Sequence, residues 1–593
     1  MLKLVVHATH EAGMKVGGIG AVLDGLLGSE AYNEAIARTI LLGPYDADDS
    51  LEWERLRARR NKLSILYHTR EGISQVPDEL AVAFHQVQMA HSVSVLYGKR
   101  RFGSAEHEVL LVDASRAHAE PVNDLKGWLY TRHGFHASRY EGYPEFAHYM
   151  GAAAASVNAL YALVGNTEQP AFFIAHEWLG LPALFAAERH LPGQYRTVFY
   201  AHETATVRAI VEGNPGHDLR FYNAMRVARA RDRSLEQVFG GYGHFFKHAL
   251  LRAALSLEGL FAVGDLVKEE LEFLEPAIRG RYVDIVYNGV PSSEISLESS
   301  QRSKTLLQQY TYALHGFVPG WIFSHVTRLV PSKGIWRDLR VLERLDYLLA
   351  NRGETAIYFL LASVRPAGRH PEDVYRWERQ YGWPVHHRAD NGDLIAYEWD
   401  YYQMIEHFNR TARATRAVLV NQFGWSRDRC GMRMPAEMEF VDLRHGTDVE
   451  FGQSIYEPFG IAQVEPLSFG ALCVLSTACG CLGFIRDAGG LDLASVVEGN
   501  YLFLPDWAGS DLTAILNVGR GTRDAVEAMV AEQVAQKIFM RLPRSTGAEE
   551  VLLRDGYSLS TRMSWEVVVR DYFLPPLYRI IGVAPPSGME RDA

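Results

Sequence analysis

The chain has 593 residues, of which 48% are hydrophobic and 22% charged, with a formal net charge of -11. That is ample apolar material for more than one buried core, and the acidic balance argues against a nucleic-acid binder, which needs a basic footprint. Four cysteines, Cys430, Cys473, Cys479 and Cys481, make no secreted-type disulfide framework and suit a reducing compartment.

The opening run Met1–His7 is too short for a signal peptide. No later stretch reaches the roughly 18 uninterrupted apolar residues of a membrane span, so a cytoplasmic protein with no membrane partner is expected. Short apolar runs then alternate with helical patterns. Leu2–Val6, Thr39–Leu42, Ala171–Ala175, Thr197–Ala201, Gly259–Val263 and Val283–Tyr287 read as buried strands, with helices such as Gly151–Leu163 and Phe246–Leu257 between them. A Ser-rich linker is expected over 292–317. A second series begins with Trp321–Val326 and continues with Ala356–Ala362, Ala417–Asn421 and Leu472–Leu475. This alternation predicts α/β architecture with two doubly wound, Rossmann-like domains. They are expected over residues 1–310 and 311–560, with a last helix and tail over 561–593. Ligands in such sheets bind beyond the carboxyl ends of the strands, and the cleft between two such domains is the default site. Ser564 is the expected cap of the final helix, and Pro575 and Pro576 are expected to break it.

Lys15-Val16-Gly17-Gly18-Ile19-Gly20 comes after the first strand and opens a helix with apolar positions Ile19, Val22, Leu23, Leu26 and Leu27. Glycines there let backbone N–H groups approach an anion, and Lys15 adds a full charge; a glycine turn with a solvated lysine reads equally well. In Tyr456-Glu457-Pro458-Phe459-Gly460-Ile461-Ala462-Gln463-Val464-Glu465 two glutamates stand eight residues apart, about 12 Å at helical rise. That is too far to share a proton, and suits either two grips on an extended ligand or ordinary acidic residues at a helix start. Cys479 and Cys481 lack partners at metal-ligand spacing, and Asp46-Ala47-Asp48 reads as a solvated turn. No metal and no cofactor is expected.

The Tyr456–Glu465 string resembles the E-x7-E motif of retaining GT-B glycosyltransferases, and Pro466–Thr477 resembles the segment immediately after that motif in glycogen synthases. Lys15–Gly20 is similar to their K-x-G-G-L-G loop, and His176-Glu177-Trp178-Leu179-Gly180-Leu181 to their H-D-W-x-x-G-L element with Glu for Asp. Thr327–Gly334 is similar to the R-L-x-x-x-K-G loop, Asn288-Gly289-Val290 to the N-G-[IV] turn, and Phe221-Tyr222-Asn223 to the F-Y-N of the animal and fungal enzymes. The resemblance runs in family order from residue 15 to residue 485, and includes a last helix returning to the first domain.

This resemblance implies transfer of glucose from UDP- or ADP-glucose to the non-reducing end of an α-1,4-glucan with retention. Arg328 and Lys333 would hold the donor diphosphate, Glu457 the transferred sugar and Glu465 the ribose. Tyr456 would stack on the base. Lys15, Gly17, Gly18 and Thr477 would meet the phosphates, and His176 and His202 would line the sugar. His244 and Lys247 match family sugar contacts poorly. Alternatives are another donor or acceptor, as in sucrose-type or mannosyl transfer, or a non-catalytic glucan or nucleotide-sugar binder. A homo-oligomer is compatible. Only scattered Arg541, Arg544, Arg554 and Arg562 stand where the animal and fungal enzymes carry an arginine cluster, so activation by glucose 6-phosphate is not expected.

Overall fold

The computed structural model describes residues 1–362, 369–422, 424–504, 509 and 511–584. They form two compact units: one of Met1–Val207, Arg231–Gly289 and the segment from Trp565, the other of Arg208–Ala230 and Val290–Ser564.

The first unit holds β1 (Leu4–Ala8), β2 (Thr39–Pro44), β3 (Leu63–His68), β4 (Ile73–Ser74), β5 (Ser94–Phe102), β6 (Ala105–Asp113), β7 (Ala171–His176), β8 (Arg196–Ala201), β9 (Gly259–Ala262) and β10 (Val283–Ile285). They make one sheet in the order β10-β9-β8-β7-β1-β2-β6-β5-β3-β4. Neighbours from β10 to β6 pair parallel; β6 with β5, β5 with β3, and β3 with β4 pair antiparallel. The parallel part matches the expectation from apolar runs. The antiparallel edge is new: Lys99, Arg100 and Arg101 interrupt the β5 pattern, yet Arg100 is buried, donating to the carbonyls of Glu11 and Ala12 at 3.1 and 3.2 Å.

The second unit holds β11 (Trp321–Thr327), β12 (Ala356–Ala362), β13 (Thr415–Val420), β14 (Val449–Gly452), β15 (Leu472–Ser476) and β16 (Val496–Gly499). All neighbours are parallel, in the order β13-β12-β11-β14-β15-β16. Counted within the unit this is 3-2-1-4-5-6, the doubly wound order whose ligand crevice lies between strands 1 and 4. Both faces are covered. Phe323, Tyr358, Leu360 and Leu419 enter one core, while Ile322, Ile357, Phe359 and Val418 enter the other. The period-2 alternation of side chains accounts for that split.

Three expected boundaries move. The helix Leu297–His315, expected partly as linker, belongs to the second unit: Ser303 Oγ donates to Asp442 at 2.7 Å, and Leu307 and Tyr310 are core residues. The boundary therefore falls at 289/290 and not at 310. Arg208–Ala230 also belongs to the second unit, where Arg337 donates to Asp218 at 2.7 and 3.0 Å and Asn223 to the Leu502 carbonyl at 3.0 Å. Pro575 and Pro576 do not end a helix; the run continues through them as Leu574–Ile580, directly after the π-helical stretch Val569–Phe573.

The chain re-enters the first unit at Trp565. A Cβ on Gly25 would lie 1.9 Å from the Trp565 indole, and one on Gly289 2.5 Å from it, so both glycines are required by this approach. The Glu566 carboxylate accepts from Ser29 Oγ, Glu30 N and Ala31 N at 2.8, 2.8 and 3.0 Å, serving the free amides at the start of helix Glu30–Ala35. No described helix is long and apolar enough to cross a membrane.

Candidate functional site

In the second unit the expected residues gather beyond the carboxyl ends of β11, β14 and β15. The chain leaves β11 into the loop Arg328–Gly334. The Ser332 carbonyl accepts the N–H groups of Ile455 and Tyr456 at 2.8 and 3.2 Å, which ties this loop to the one after β14. Gly334 has φ +60° and faces the Gln453 carbonyl, where a Cβ would come within 2.4 Å, so only glycine fits this turn. Lys333 is thereby set against Glu457, and the two form a hydrogen-bonded ion pair. The loop after β15 is pinned to the same place. Gly480 N donates to the Glu457 carbonyl at 2.9 Å and Cys481 N to that of Phe459 at 3.0 Å.

Glu457 is the electrostatic centre of this cluster. Burial alone would push its carboxyl up. The Lys333 ammonium, then the Arg328 and Arg208 guanidinium groups, hold it below the usual carboxylate range. Gln463 Nε2 and Ser454 Oγ also donate to it, at 3.2 and 3.4 Å. Three cations and a carboxylate thus share one strand-end crevice in which Arg328 is exposed. A dianion entering there would meet these cations.

Three expected roles fare differently. Tyr456 is only 1% exposed, with the Arg208 guanidinium 5.6 Å from its ring centroid. It is a core residue and is not available to stack on a base, which corrects that expectation. Glu465 is half-buried and accepts from Arg444 Nε at 3.1 Å, while Arg444 also reaches Glu450 at 3.1 Å. Thr477 N donates to the Gly499 carbonyl at 3.1 Å, and its buried Oγ1 has no partner among the described residues.

In the first unit the glycine loop lies beyond β1. Lys15 is exposed and pairs with Asp24 at 3.0 Å. The amides of Val16 and Gly17 donate to Glu11 Oε2 at 2.5 and 2.6 Å, whereas Gly18 has open space about it. The acceptor that these amides meet is the chain's own carboxylate.

His176 ends β7 and is fully buried. Its Nε2 lies 2.8 Å from His7 Nδ1, and its Nδ1 lies 2.9 Å from His202 Nε2. With both nitrogens engaged, its ring cannot contact a sugar, which corrects that part of the expectation. His202, after β8, is partly buried, and its Nδ1 has no partner among the described residues. Glu177 accepts the N–H groups of His202 and Glu203 at 2.5 and 2.6 Å from a strained backbone with φ +60°. Burial, then the charge of Glu203, push its carboxyl up.

Lys247 lies 4.6 Å from the Trp178 ring centroid and 3.1 Å from Glu145. Asp46 Oδ1 accepts from Asp48 N and Asp49 N, and Asp48 pairs with Arg70 at 2.8 Å, the geometry of a surface turn. The four cysteines are buried and free, and the described residues hold no group of three or more His, Cys, Asp or Glu that could bind a metal ion. Sequence reasoning missed Arg208, Gln463, Glu11, His7 and Tyr32. None lies in a recognisable motif except Gln463, six positions after Glu457.

No protein-family model matches the chain, and no curated protein does. Several solved structures are similar over nearly its whole length. The UDP-forming α,α-trehalose-phosphate synthase of Burkholderia vietnamiensis aligns with 98% of this chain and 100% of its own at 12% identity and TM-score 0.48. The Escherichia coli trehalose-6-phosphate protein bound with UDP-2-fluoro glucose covers 94% and 99% at 11% identity and TM-score 0.44. The Burkholderia xenovorans synthase in complex with glucose-6-phosphate covers 95% and 98% at 12% identity and TM-score 0.43. Similarity at this level assigns no activity to the chain.

Proposed function

We propose that the protein is a retaining, metal-independent hexosyltransferase of the GT-B kind, moving glucose from UDP- or ADP-glucose to the end of an α-1,4-glucan or a related sugar acceptor. The observation that carries this reading is the convergence of Lys333, Arg328 and Arg208 on Glu457 at the strand 1 to strand 4 crevice of a 3-2-1-4-5-6 sheet. As the bond from the anomeric carbon to the diphosphate oxygen breaks, negative charge collects on the leaving nucleotide. Fixed cations stabilise that state more than the ground state. Lys333 would then exchange Glu457 for phosphate oxygen, and the released carboxylate would accept from sugar hydroxyls. Attack by the acceptor hydroxyl on the same face, with the departing phosphate taking its proton, needs no protein nucleophile and no pair of glycosidase carboxylates.

A non-catalytic binder has little use for three cations beside one buried carboxylate. The acceptor is the less constrained half, since these residues would grip the donor. The test measures nucleotide release from UDP-, ADP- and GDP-sugars with glycogen, maltooligosaccharides or glucose 6-phosphate. Acceptor-dependent release that is lost in Glu457→Ala supports the reading; no release with any pair, or full activity in Glu457→Ala, overturns it.

A further inference from the structure

We propose that Thr39, Tyr32, His7, His176 and His202 form one hydrogen-bonded chain of fixed polarity, which holds His202 as its Nδ1–H tautomer and presents that N–H to an oxygen of the bound ligand. The identity of that oxygen, on sugar or phosphate, rests on the transferase reading; the tautomer does not.

The chain crosses the middle of the first unit's sheet. His7 lies on β1, His176 ends β7, His202 comes just after β8, and Thr39 opens β2. The links are Thr39 Oγ1 to Tyr32 Oη at 3.0 Å, Tyr32 Oη to His7 Nε2 at 2.9 Å, His7 Nδ1 to His176 Nε2 at 2.8 Å, and His176 Nδ1 to His202 Nε2 at 2.9 Å. A neutral imidazole has one N–H and one bare nitrogen. Three neutral rings in series therefore donate all in one direction or all in the other.

Burial disfavours a charged ring at all three positions. Burial first, then neighbouring histidines, hold His7 and His202 well below the usual imidazole range, and burial with His10 pushes His176 down to about 3. No doubly protonated ring interrupts the series.

The far end sets the direction. Thr39 is 4% exposed, and among the described residues its hydroxyl has one partner, Tyr32. If the chain donated inward, from His202 toward Thr39, the Thr39 proton would be a buried donor without an acceptor, which is costly. Donating outward, every proton is placed: Thr39 to Tyr32, Tyr32 to His7, His7 Nδ1–H to His176, and His176 Nδ1–H to His202 Nε2. His202 is left with Nδ1–H, and no described residue pairs with that nitrogen.

The chain does not conduct protons. Its inner end is a buried threonine hydroxyl with no further exchange partner, so no net proton can pass. Its effect is orientation. The His202 ring lies nearly parallel to His176 at 10°, and 4.2 Å from the Tyr200 ring centroid, while its backbone N–H is held by Glu177 at 2.5 Å. Tyr32 and His7 are positioning residues that act through His176.

Ring 15N shifts of the full-length chain labelled at histidine separate protonated from bare nitrogens, and His202 is assigned by the signals lost in His202→Asn. The expected result is a protonated Nδ1 and a bare Nε2, unchanged between about pH 6 and 9. A protonated Nε2, alone or in an imidazolium, overturns the proposal. In Tyr32→Phe, with no hydroxyl to set the direction, His202 is expected to become a mixture of tautomers; persistence of a pure Nδ1–H form overturns it. Under the transferase reading, Tyr32→Phe also lowers kcat about tenfold with little change in donor KM. The 15N measurement needs no ligand, so it stands or falls apart from that reading.

Discussion

The Glu11 carboxylate accepts the Gly17 N–H at 2.6 Å, so the amides at the head of helix Gly18–Gly28 are already served by an anion of the same chain. A phosphate approaching this loop meets a charge of its own sign. Glu11→Gln keeps an acceptor oxygen and removes that charge. Uridine diphosphate is then expected to bind about fivefold more tightly, about 1 kcal/mol, in calorimetry at low salt. Unchanged or weaker binding would show that the loop and the phosphates do not meet.

Replacing Lys333 separates catalytic from structural effects. Lys333→Met leaves the Glu457 carboxylate buried without its main partner. We expect lower thermal stability and a loss of about 10²- to 10³-fold in kcat. The double variant Lys333→Met/Glu457→Gln is expected to recover the melting temperature but not the turnover. The native pair also has a pH signature. Because Glu457 is held below its ordinary pKa, its stabilisation is full above the unfolded value and fades on acidification through the folded one. That acid-side slope is expected to shrink in the double variant.

Glu177 has the opposite sign. Its carboxyl is pushed up to about 8 from an ordinary 4.5, so its favourable contribution is complete below the unfolded value and is lost as the pH rises through the folded one. Glu177→Gln keeps a carbonyl oxygen for the His202 and Glu203 amides and cannot ionise. Its melting temperature relative to the native chain is expected to climb by several degrees between pH 4.5 and pH 8. A pH-independent difference in parallel thermal melts would refute the assignment.

Arg337 is buried against Asp218 and Glu527 at 2.7 and 2.9 Å, with the Tyr501 ring centroid 3.9 Å away. Arg337→Met takes the guanidinium from the buried Asp218, while Glu527 keeps Trp336 Nε1 at 3.0 Å and Arg340 at 3.5 Å. The expected cost is about 3–5 kcal/mol by denaturant unfolding. Adding Asp218→Asn is expected to return much of it, because the penalty lies in that unpaired buried charge.

How legible the molecule is depends on where the signal resides. Ala356–Ala362 can be read to the residue, because a parallel strand covered on both faces is a continuous apolar run. The β5–β6 hairpin cannot, because the sheet is open there on one face, which tolerates a partly exposed Lys99 and an exposed Arg101. Glu457, Lys333 and Arg328 stand out because loops at strand ends carry compact motifs. Arg208 does not, since it lies in the ordinary amphipathic helix Ala205–Glu212 and meets Glu457 only through the fold. Tyr456 shows the converse error: a residue inside a motif is not thereby at the surface. His7, Tyr32 and Thr39 escape notice because they are single residues on separate elements.

The glycine-lined slot for Trp565 and the free amides met by Glu566 bear on how this protein is born. Glu566 lies 536 residues beyond Glu30, whose N–H it accepts. A nascent chain emerging from the ribosome therefore carries an unfinished first unit throughout synthesis of nearly the whole second one, with an apolar gap beside Gly25 and Gly289 until the last turns arrive. Chaperone dependence during translation, and aggregation of chains terminated before Trp565, are what that order of assembly entails.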